Sequence, residues 1–149
     1  MRVALVQLTV GDDPVANLPE TLRMIRAAAA GGATFVLTPE CTNALSSDRG
    51  HQRRVLRHED QDETLAALRF EAQSLGIWLL IGSLGLLTED ADGRFANRSF
   101  LIAPSGEIAG RYDKIHMFDV NVSATEIYRE SAGYRPGAEA VLVETPFAK

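Results

Sequence analysis

The feature of this sequence that most constrains its fold is the alternation of short apolar runs with longer amphipathic segments. Residues 3–6, 34–37 and 77–83 are apolar runs of the length that buried strands have. Between them, residues 19–30 and 62–75 repeat apolar side chains at spacings of three and four and end at glycine, which is typical of helices. Because parallel strands need a crossover connection that is usually helical, the pattern predicts a β-α-β-α-β unit.

After residue 84 the turn signals become more frequent. Residues 92–93 are Asp-Gly and residues 104–106 are Pro-Ser-Gly. The strand-like runs 99–103 and 107–111 flank the second turn, so antiparallel strands are expected here. The sequence therefore predicts an α/β fold whose mixed sheet has parallel and antiparallel members and is covered by helices on one face. No repeat or linker divides the 149 residues, so one domain, or part of one, is expected.

Charge and cysteine content exclude several classes of protein. Fifteen basic against twenty acidic residues give a net charge of -5, which argues against nucleic acid or an anionic membrane as the main partner and favours a small-molecule ligand. The single cysteine excludes an internal disulfide, and no Cys/His group has zinc-ligand spacing. We therefore predict no metal or cofactor and a reducing compartment, the cytoplasm. The N-terminus shows no signal-peptide pattern, and no segment is long and apolar enough to span a membrane.

Two charged residues are candidates for chemistry, although each also has an ordinary interpretation. Glu40 follows Thr-Pro at the expected carboxyl end of a strand, where ligands gather in α/β sheets. On position alone a solvated carboxylate is the more common case. Lys114 lies in a segment of alternating polar and apolar residues, which also fits a strand with lysine on its exposed face. His116, a single histidine among apolar residues, is expected to be structural.

A thiol mechanism built on Cys41 and a phosphate site are both disfavoured. His51 and His58 are near Cys41 in sequence, but nothing orients either imidazole toward the thiol, and free cysteines are mostly small buried apolar residues. The glycines do not form a phosphate-binding loop after a strand, so a flavodoxin-like nucleotide binder has no motif in its favour.

Several short motifs resemble, in their order and spacing, the nitrilase superfamily of carbon-nitrogen hydrolases, and within it the Nit-like branch of ω-amidases and deaminated glutathione amidases. The motifs are Val-Ala-Leu-Val-Gln at residues 3–7, Thr-Pro-Glu-Cys at 38–41, Asn-Arg-Ser-Phe at 97–100, Tyr-Asp-Lys-Ile-His-Met-Phe-Asp-Val at 112–120, Tyr-Arg-Glu-Ser at 128–131 and Tyr-Arg-Pro-Gly at 134–137. The resemblance thus extends over nearly the whole chain.

The resemblance implies a fold and a set of catalytic residues. The family fold is an α-β-β-α sandwich, and residues 1–149 would form about the first half of it, a partial domain. The family uses a Glu base, a Lys, a Cys nucleophile and a second Glu, and the motif positions imply Glu40, Lys114 and Glu130 for all but the nucleophile. The nucleophile motif is expected to follow Lys149, so Cys41, which adjoins the base, is not its substitute.

The implied activity is hydrolysis of a small carboxylic acid amide, such as an α-keto acid ω-amide or deaminated glutathione, through a Cys acyl-enzyme. Homo-oligomers are common in the family and are expected here. Residues 1–149 alone are expected to be inactive and prone to aggregation. Alternatives are N-carbamoyl amino acid hydrolysis, nitrile hydrolysis, acyl transfer, or a shortened, non-catalytic binding or scaffold module.

Overall fold

A computed structural model describes residues 1–147, in which strands and helices alternate at first and consecutive strands follow. The strands are β1 (Val3–Leu5), β2 (Phe35–Leu37), β3 (Trp78–Leu86), β4 (Ala96–Ile102), β5 (Ile108–Asp113), β6 (Asp119–Asn121) and β7 (Ile127–Arg129). The helices are α1 (Pro14–Ala30), α2 (Arg49–Val55) and α3 (Glu63–Leu75), with 3-10 turns at Glu59–Gln61 and Glu130–Ala132.

The first five strands form one mixed sheet in the order β1-β2-β3-β4-β5. The strands β1, β2 and β3 are parallel neighbours, whereas β4 and β5 join as antiparallel strands. This confirms the predicted change from crossover connections to hairpins. The strands β6 and β7 form a separate antiparallel hairpin, which was not predicted.

Helix α1 begins earlier than predicted. The sequence pattern placed its start at Pro19, but the helix begins at Pro14, and Pro19 lies inside it. The Asp13 side chain caps the new start by accepting a hydrogen bond of 2.9 Å from the backbone N–H of Val15. Proline suits the first position of a helix because the N–H that it lacks would have no intrahelical partner there. The turn-like sequence before residue 14 is therefore the helix cap.

Helix α2 was not predicted at all. It is short and buries only Gln52, so it has no apolar periodicity that a sequence could show. Its start is fixed by Asp48, whose carboxylate accepts a hydrogen bond of 3.0 Å from the His51 N–H. This helix borders the cavity described below, through Arg49 and Gln52.

The core lies between the main sheet and the layer formed by α1 and α3. Ile25 of α1, Leu68 of α3 and Ile81 of β3 are completely buried in it. An ion pair of 2.7 Å between Arg26 and Glu71 joins the two helices. One helix layer on one mixed sheet corresponds to the first half of the α-β-β-α sandwich that the resemblance implies.

The opposite face of the sheet is only partly covered in the described residues. Val3 and Leu5 alternate with the core-facing Ala4 and are exposed. Phe147 packs against Phe35 and Trp78 on neighbouring strands, with ring centroids 5.4 and 5.7 Å apart. The face is therefore apolar, and the last described residues cross part of it.

Candidate active site

The turn that carries Glu40 is held against β3 by hydrogen bonds. The Cys41 N–H donates to Ser83 Oγ at 2.9 Å, and the Thr42 N–H donates to the Ser83 carbonyl oxygen at 2.8 Å. The Thr42 hydroxyl closes the turn by donating to the Pro39 carbonyl oxygen at 2.7 Å. Glu40 thus follows the end of β2 on a turn with a fixed position.

Gly82 allows this turn to lie directly on β3. A Cβ atom at residue 82 would be 2.3 Å from the Thr38 carbonyl oxygen and 2.6 Å from the carbonyl group of Pro39. These are backbone atoms and cannot move aside without moving the turn. The Ser99 hydroxyl donates to the Gly82 carbonyl oxygen at 2.6 Å and ties β4 to the same point.

Lys114 lies immediately after β5, which ends at Asp113. Its backbone is fixed on both sides, because its N–H donates to the Asn97 carbonyl oxygen and its carbonyl oxygen accepts from the Gly137 N–H, both at 2.9 Å. Its ammonium group lies 3.0 Å from Glu40 Oε1. Lys114 is therefore not the exposed strand residue that alternation alone indicated, since its side chain is only 27% exposed.

Glu130 enters the same group from the 3-10 turn after the β6–β7 hairpin. The Lys114 ammonium lies 3.0 Å from its Oε1 and 2.9 Å from its Oε2. The backbone N–H of Phe118 also donates to Oε2, and the Glu130 side chain is 15% exposed. The structure thus brings together the three predicted site residues, which come from three different parts of the chain.

Asn97 is a fourth member of this group, and sequence reasoning did not single it out. It is 3% exposed on β4, and its side-chain amide donates to Glu40 Oε1 at 2.7 Å and lies 3.4 Å from Glu130 Oε1. The amide nitrogen must face these carboxylates, because a carboxylate can only accept. The Asn-Arg-Ser-Phe motif at residues 97–100 was the sequence signal that could have identified Asn97 as a site residue.

The site carries two carboxylates and one ammonium group, and the contacts among them shift the pKa values of Glu40 and Lys114. Partial burial would raise the pKa of Glu40, but hydrogen bonds from Lys114 and Asn97 outweigh it, so the pKa is lowered. Burial would lower the pKa of Lys114, but its bonds to Glu130 and Glu40 raise it. Both residues are therefore charged at neutral pH.

One oxygen of Glu40 is available for proton transfer. Oε1 accepts from both Asn97 and Lys114, whereas Oε2 has no hydrogen bond within residues 1–147. The Glu40 side chain is 56% exposed and opens into a cavity of about 500 Å³ whose walls include Leu45 and Tyr134. A carboxylate that is fixed through one oxygen and open at the other can act as a general base.

Cys41 lines the same cavity, and its thiol is protonated at neutral pH. Burial, together with the negative charges of Glu40 and Glu130, raises the pKa of its thiol to about 11. Its φ angle of 54° is in the left-handed region, which non-glycine residues rarely adopt. That Cys41 is not the nucleophile stays a prediction.

None of the three histidines joins the site. His51 Nε2 is bonded at 2.9 Å to the carbonyl oxygen of Asp12, and His58 Nδ1 lies 3.2 Å from a Glu89 oxygen. His116 is exposed and has no hydrogen bond in the described part of the chain, so the expectation of a backbone-bonded structural histidine was wrong. Within residues 1–147 there is no group of three His, Cys, Asp or Glu side chains that could hold a metal ion. No helix in that range could cross a membrane.

The sequence matches the carbon-nitrogen hydrolase family over residues 2–149. The chain belongs to this family. Deaminated glutathione amidase from Yersinia enterocolitica is 31% identical over 152 residues, which cover 99% of this chain and 51% of that protein. Human omega-amidase NIT2 is 28% identical over 148 residues, which cover 99% of this chain and 52% of that protein.

Solved structures of the superfamily share the fold. The NitFhit protein of C. elegans superposes with a TM-score of 0.85 at 24% identity, covering 99% of this chain and 36% of that one. Saccharomyces cerevisiae Nit3, a member of branch 10 of the nitrilase superfamily, superposes with a TM-score of 0.79 at 24% identity, covering 98% of this chain and 52% of that one. The resemblance to the Nit-like branch is confirmed, and the chain spans about half the length of the curated relatives it matches.

Proposed function

We propose that the whole protein hydrolyses the amide of a small carboxylic acid through a Cys acyl-enzyme, and that this chain supplies Glu40, Lys114 and Glu130 to the site. The observation that carries the proposal is the position of the Lys114 ammonium, 3.0 Å from an oxygen of each glutamate in the wall of one cavity. The amidase names of the relatives support amide hydrolysis as the reaction.

In the first step, Glu40 acts as the general base. A thiol with an ordinary pKa of about 8.5 is mostly protonated at neutral pH and is a weak nucleophile in that form. Glu40 Oε2 accepts the thiol proton while sulfur forms a bond to the amide carbon, and the electrons of the C=O bond move to oxygen. Because the pKa of Glu40 is lowered, the carboxylate is ionised before the substrate arrives.

Lys114 stabilises the oxyanion that this attack creates. Its pKa is raised, so it is a cation throughout the neutral range. When the tetrahedral intermediate collapses, the C–N bond breaks and protonated Glu40 returns its proton to the departing nitrogen, which leaves as ammonia. In the second half-reaction Glu40 deprotonates water, which attacks the thioester, and the thiol is regenerated as the acid product leaves.

Glu130 and Asn97 are assigned positioning roles. Glu130 holds the ammonium between two carboxylates, and Asn97 fixes the direction of Glu40 by occupying Oε1. The two glutamates and the lysine carry one net negative charge, and the two carboxylates repel each other. The buried amide donors offset part of that repulsion.

The nucleophile is proposed to come from a segment that follows Lys149. The unfavourable thiol pKa of Cys41 argues against the cysteine present in this chain. A solved variant of the amidase from Nesterenkonia sp. AN1 shows Michael addition of acrylamide at its active-site cysteine, which supports a cysteine mechanism in a protein of the same fold.

Ammonia release from succinamate, together with intact-mass measurement of the acylated protein, tests this function. The whole protein is expected to release ammonia and to gain the mass of one succinyl group, and Cys41→Ala is expected to keep activity within about threefold. Residues 1–149 alone are expected to release none. Comparable ammonia release by residues 1–149 alone, or loss of activity in a folded Cys41→Ala protein, would overturn the assignment.

A further inference from the structure

Asp119, the first residue of β6, is bonded to the 3-10 turn that carries Glu130. Its Oδ1 accepts the backbone N–H of Ser131 at 3.0 Å, and its Oδ2 accepts the Ser131 hydroxyl. These bonds lower the pKa of Asp119, so the acceptor is a carboxylate at neutral pH. Asp119 is exposed and, within residues 1–147, does not line the cavity. Both of its oxygens are therefore used on the residue that directly follows Glu130.

The start of this turn needs an acceptor that its own N-cap residue does not supply. The first N–H groups of a helical turn have no partner inside it, and a side-chain oxygen at the N-cap usually satisfies one. Here the N-cap residue is Arg129, which can only donate and forms no cap hydrogen bond in the described part of the chain. Asp119, the cross-strand partner of Arg129, accepts an N–H of the turn instead. The cap thus comes from the neighbouring strand.

Burial does little to fix the hairpin from which Glu130 extends. All three residues of β7 and two of the three in β6 are exposed, and a two-stranded hairpin alone is marginally stable in water. The far end of the turn is held differently, because the Gly133 carbonyl oxygen accepts from the Phe95 N–H, next to β4, at 2.8 Å. At the near end, hydrogen bonds between β6 and the turn decide where Glu130 lies.

We propose that Asp119 is a positioning residue for the reaction, because its cap on the turn places the Glu130 carboxylate against the Lys114 ammonium. This inference rests on the proposed amide hydrolysis. The ammonium lies 3.0 and 2.9 Å from the two Glu130 oxygens, and a shift of about 1 Å would break such bonds. The Glu130 N–H also bonds to the Phe118 carbonyl oxygen, but at the longer distance of 3.3 Å. Loss of the Asp119 cap should therefore free Glu130 to move away from Lys114.

Ammonia release from succinamate by the whole protein tests this role with matched variants. Asp119→Ala is expected to lower kcat about 10-fold and to change KM by less than about twofold, because alignment is lost rather than a substrate contact. Asp119→Asn keeps an oxygen for the Ser131 N–H and should restore kcat to within about threefold of wild type. Asp13→Ala removes a carboxylate that caps α1 and should lower the melting temperature without changing kcat. Equal losses of kcat in Asp13→Ala and Asp119→Ala would show a general effect of stability and overturn the inference.

A double-variant cycle with Glu130→Gln tests whether Asp119 acts through Glu130. Once the Glu130 carboxylate is gone, Asp119→Ala has little left to displace, so the double variant should lose less than about threefold in kcat beyond Glu130→Gln alone. Should Asp119→Ala fail to fold, Ser131→Ala, which removes the hydroxyl contact and keeps the carboxylate, takes its place with an expected loss of about threefold. Losses that are fully additive with Glu130→Gln would show that Asp119 acts by another route and would overturn the inference.

A ¹³C NMR titration of the Lys114 side chain separates this inference from the proposed function. Burial lowers the pKa of Lys114, but its bonds to Glu130 and Glu40 raise it further, so a displaced Glu130 should lower the midpoint in Asp119→Ala and not in Asp13→Ala. If no amide is hydrolysed but Asp119→Ala lowers this midpoint, the proposed function fails and the placement of Glu130 by Asp119 stands. If wild type releases ammonia but Asp119→Ala leaves kcat and the midpoint unchanged, the inference about Asp119 fails alone.

Discussion

Asn97 and Arg98 are neighbours on β4, yet their side chains leave opposite faces of the sheet and enter two different charge clusters. The Lys114 cluster consists of Lys114, Glu40, Glu130 and Asn97. The Arg98 cluster consists of Arg98, Arg111, Glu59 and Asp113. Strands β4 and β5 therefore carry residues of both clusters or lead directly into them. What distinguishes the two clusters is the chemistry of their side chains.

The two clusters differ in how completely their charges are matched. In the Arg98 cluster two guanidinium groups face two carboxylates, and all four carboxylate oxygens accept a hydrogen bond of 2.6–2.9 Å. In the Lys114 cluster one ammonium serves two carboxylates, and Glu40 keeps one oxygen without a partner in residues 1–147. A saturated cluster can only stabilise the fold, whereas an unsaturated one can also accept a proton.

Replacing one carboxylate in each cluster should give the largest difference in kcat between the two clusters. Glu40→Gln removes the proposed general base and is expected to lower kcat for succinamate by about 10³-fold, within the usual range for such a group. Glu59→Gln removes an acceptor shared by two arginines and is expected to change kcat by less than about threefold. Ammonia release by the whole protein measures both. Similar losses of kcat in the two variants would remove the distinction between the clusters.

Removing the cation from each cluster should separate turnover from stability. Lys114→Met is expected to lower kcat/KM by about 10²-fold, because it removes the charged donor that we propose for the oxyanion. Arg98→Met removes the cation that bonds Asp113 and Glu59 Oε2. It should mainly lower the free energy of unfolding, by about 1–3 kcal/mol, with little change in kcat. Denaturant titration and the ammonia assay together measure the two effects. A drop in kcat/KM for Arg98→Met as large as that for Lys114→Met would contradict this division.

Asn97 should contribute less than either charged group. Asn97→Leu removes the donor that occupies Glu40 Oε1 and is expected to lower kcat about 10-fold with little change in KM, because the carboxylate loses its fixed direction. Ser99→Ala on the same face of β4 is the matched control, and its kcat should change by less than about threefold. A purely structural role for Asn97 would instead appear as a lower melting temperature with kcat preserved.

Much of the fold could be predicted because its signals are local. Apolar runs and turn residues predicted the succession of β1 to β5 along the chain and the change from parallel to antiparallel strands, and glycine marked the ends of α1 and α3. Helix α2 escaped prediction because it buries a single glutamine and has no apolar stripe. The β6–β7 hairpin has mostly exposed residues and gave no burial pattern either.

The site could be predicted only through the family resemblance. Glu40 and Lys114 are separated by 74 positions in sequence, and each looks like an ordinary surface charge in its own segment. Their contact depends on how the turn after β2 and the segment after β5 lie relative to each other in the folded chain, which the local turn signals do not encode. Asn97 was not predicted, because the role of a buried amide can be recognised only when its hydrogen-bond acceptors are known. Cytoplasmic location and homo-oligomer formation stay predictions.

The stability of the protein should depend on pH through Glu40, although the effect is small because this side chain is more than half exposed. Its folded-state pKa is lower than the ordinary value of 4.5, so its contribution to stability is present above pH 4.5 and is lost as the pH falls through the lowered pKa. The difference in melting temperature between wild type and Glu40→Gln should therefore shrink on acidification. If the difference in melting temperature grew toward low pH, the prediction would be contradicted.

The most direct test of the central claim is a ¹³C NMR titration of the Glu40 carboxyl group in the folded protein, with Glu40→Gln used to assign its resonance. We expect a midpoint below 4.5 in wild type and a higher midpoint in Lys114→Met, because the ammonium and Asn97 together hold Glu40 ionised. A wild-type midpoint at or above 4.5, or one that Lys114→Met leaves unchanged, would contradict the claim that this cluster prepares Glu40 as a base.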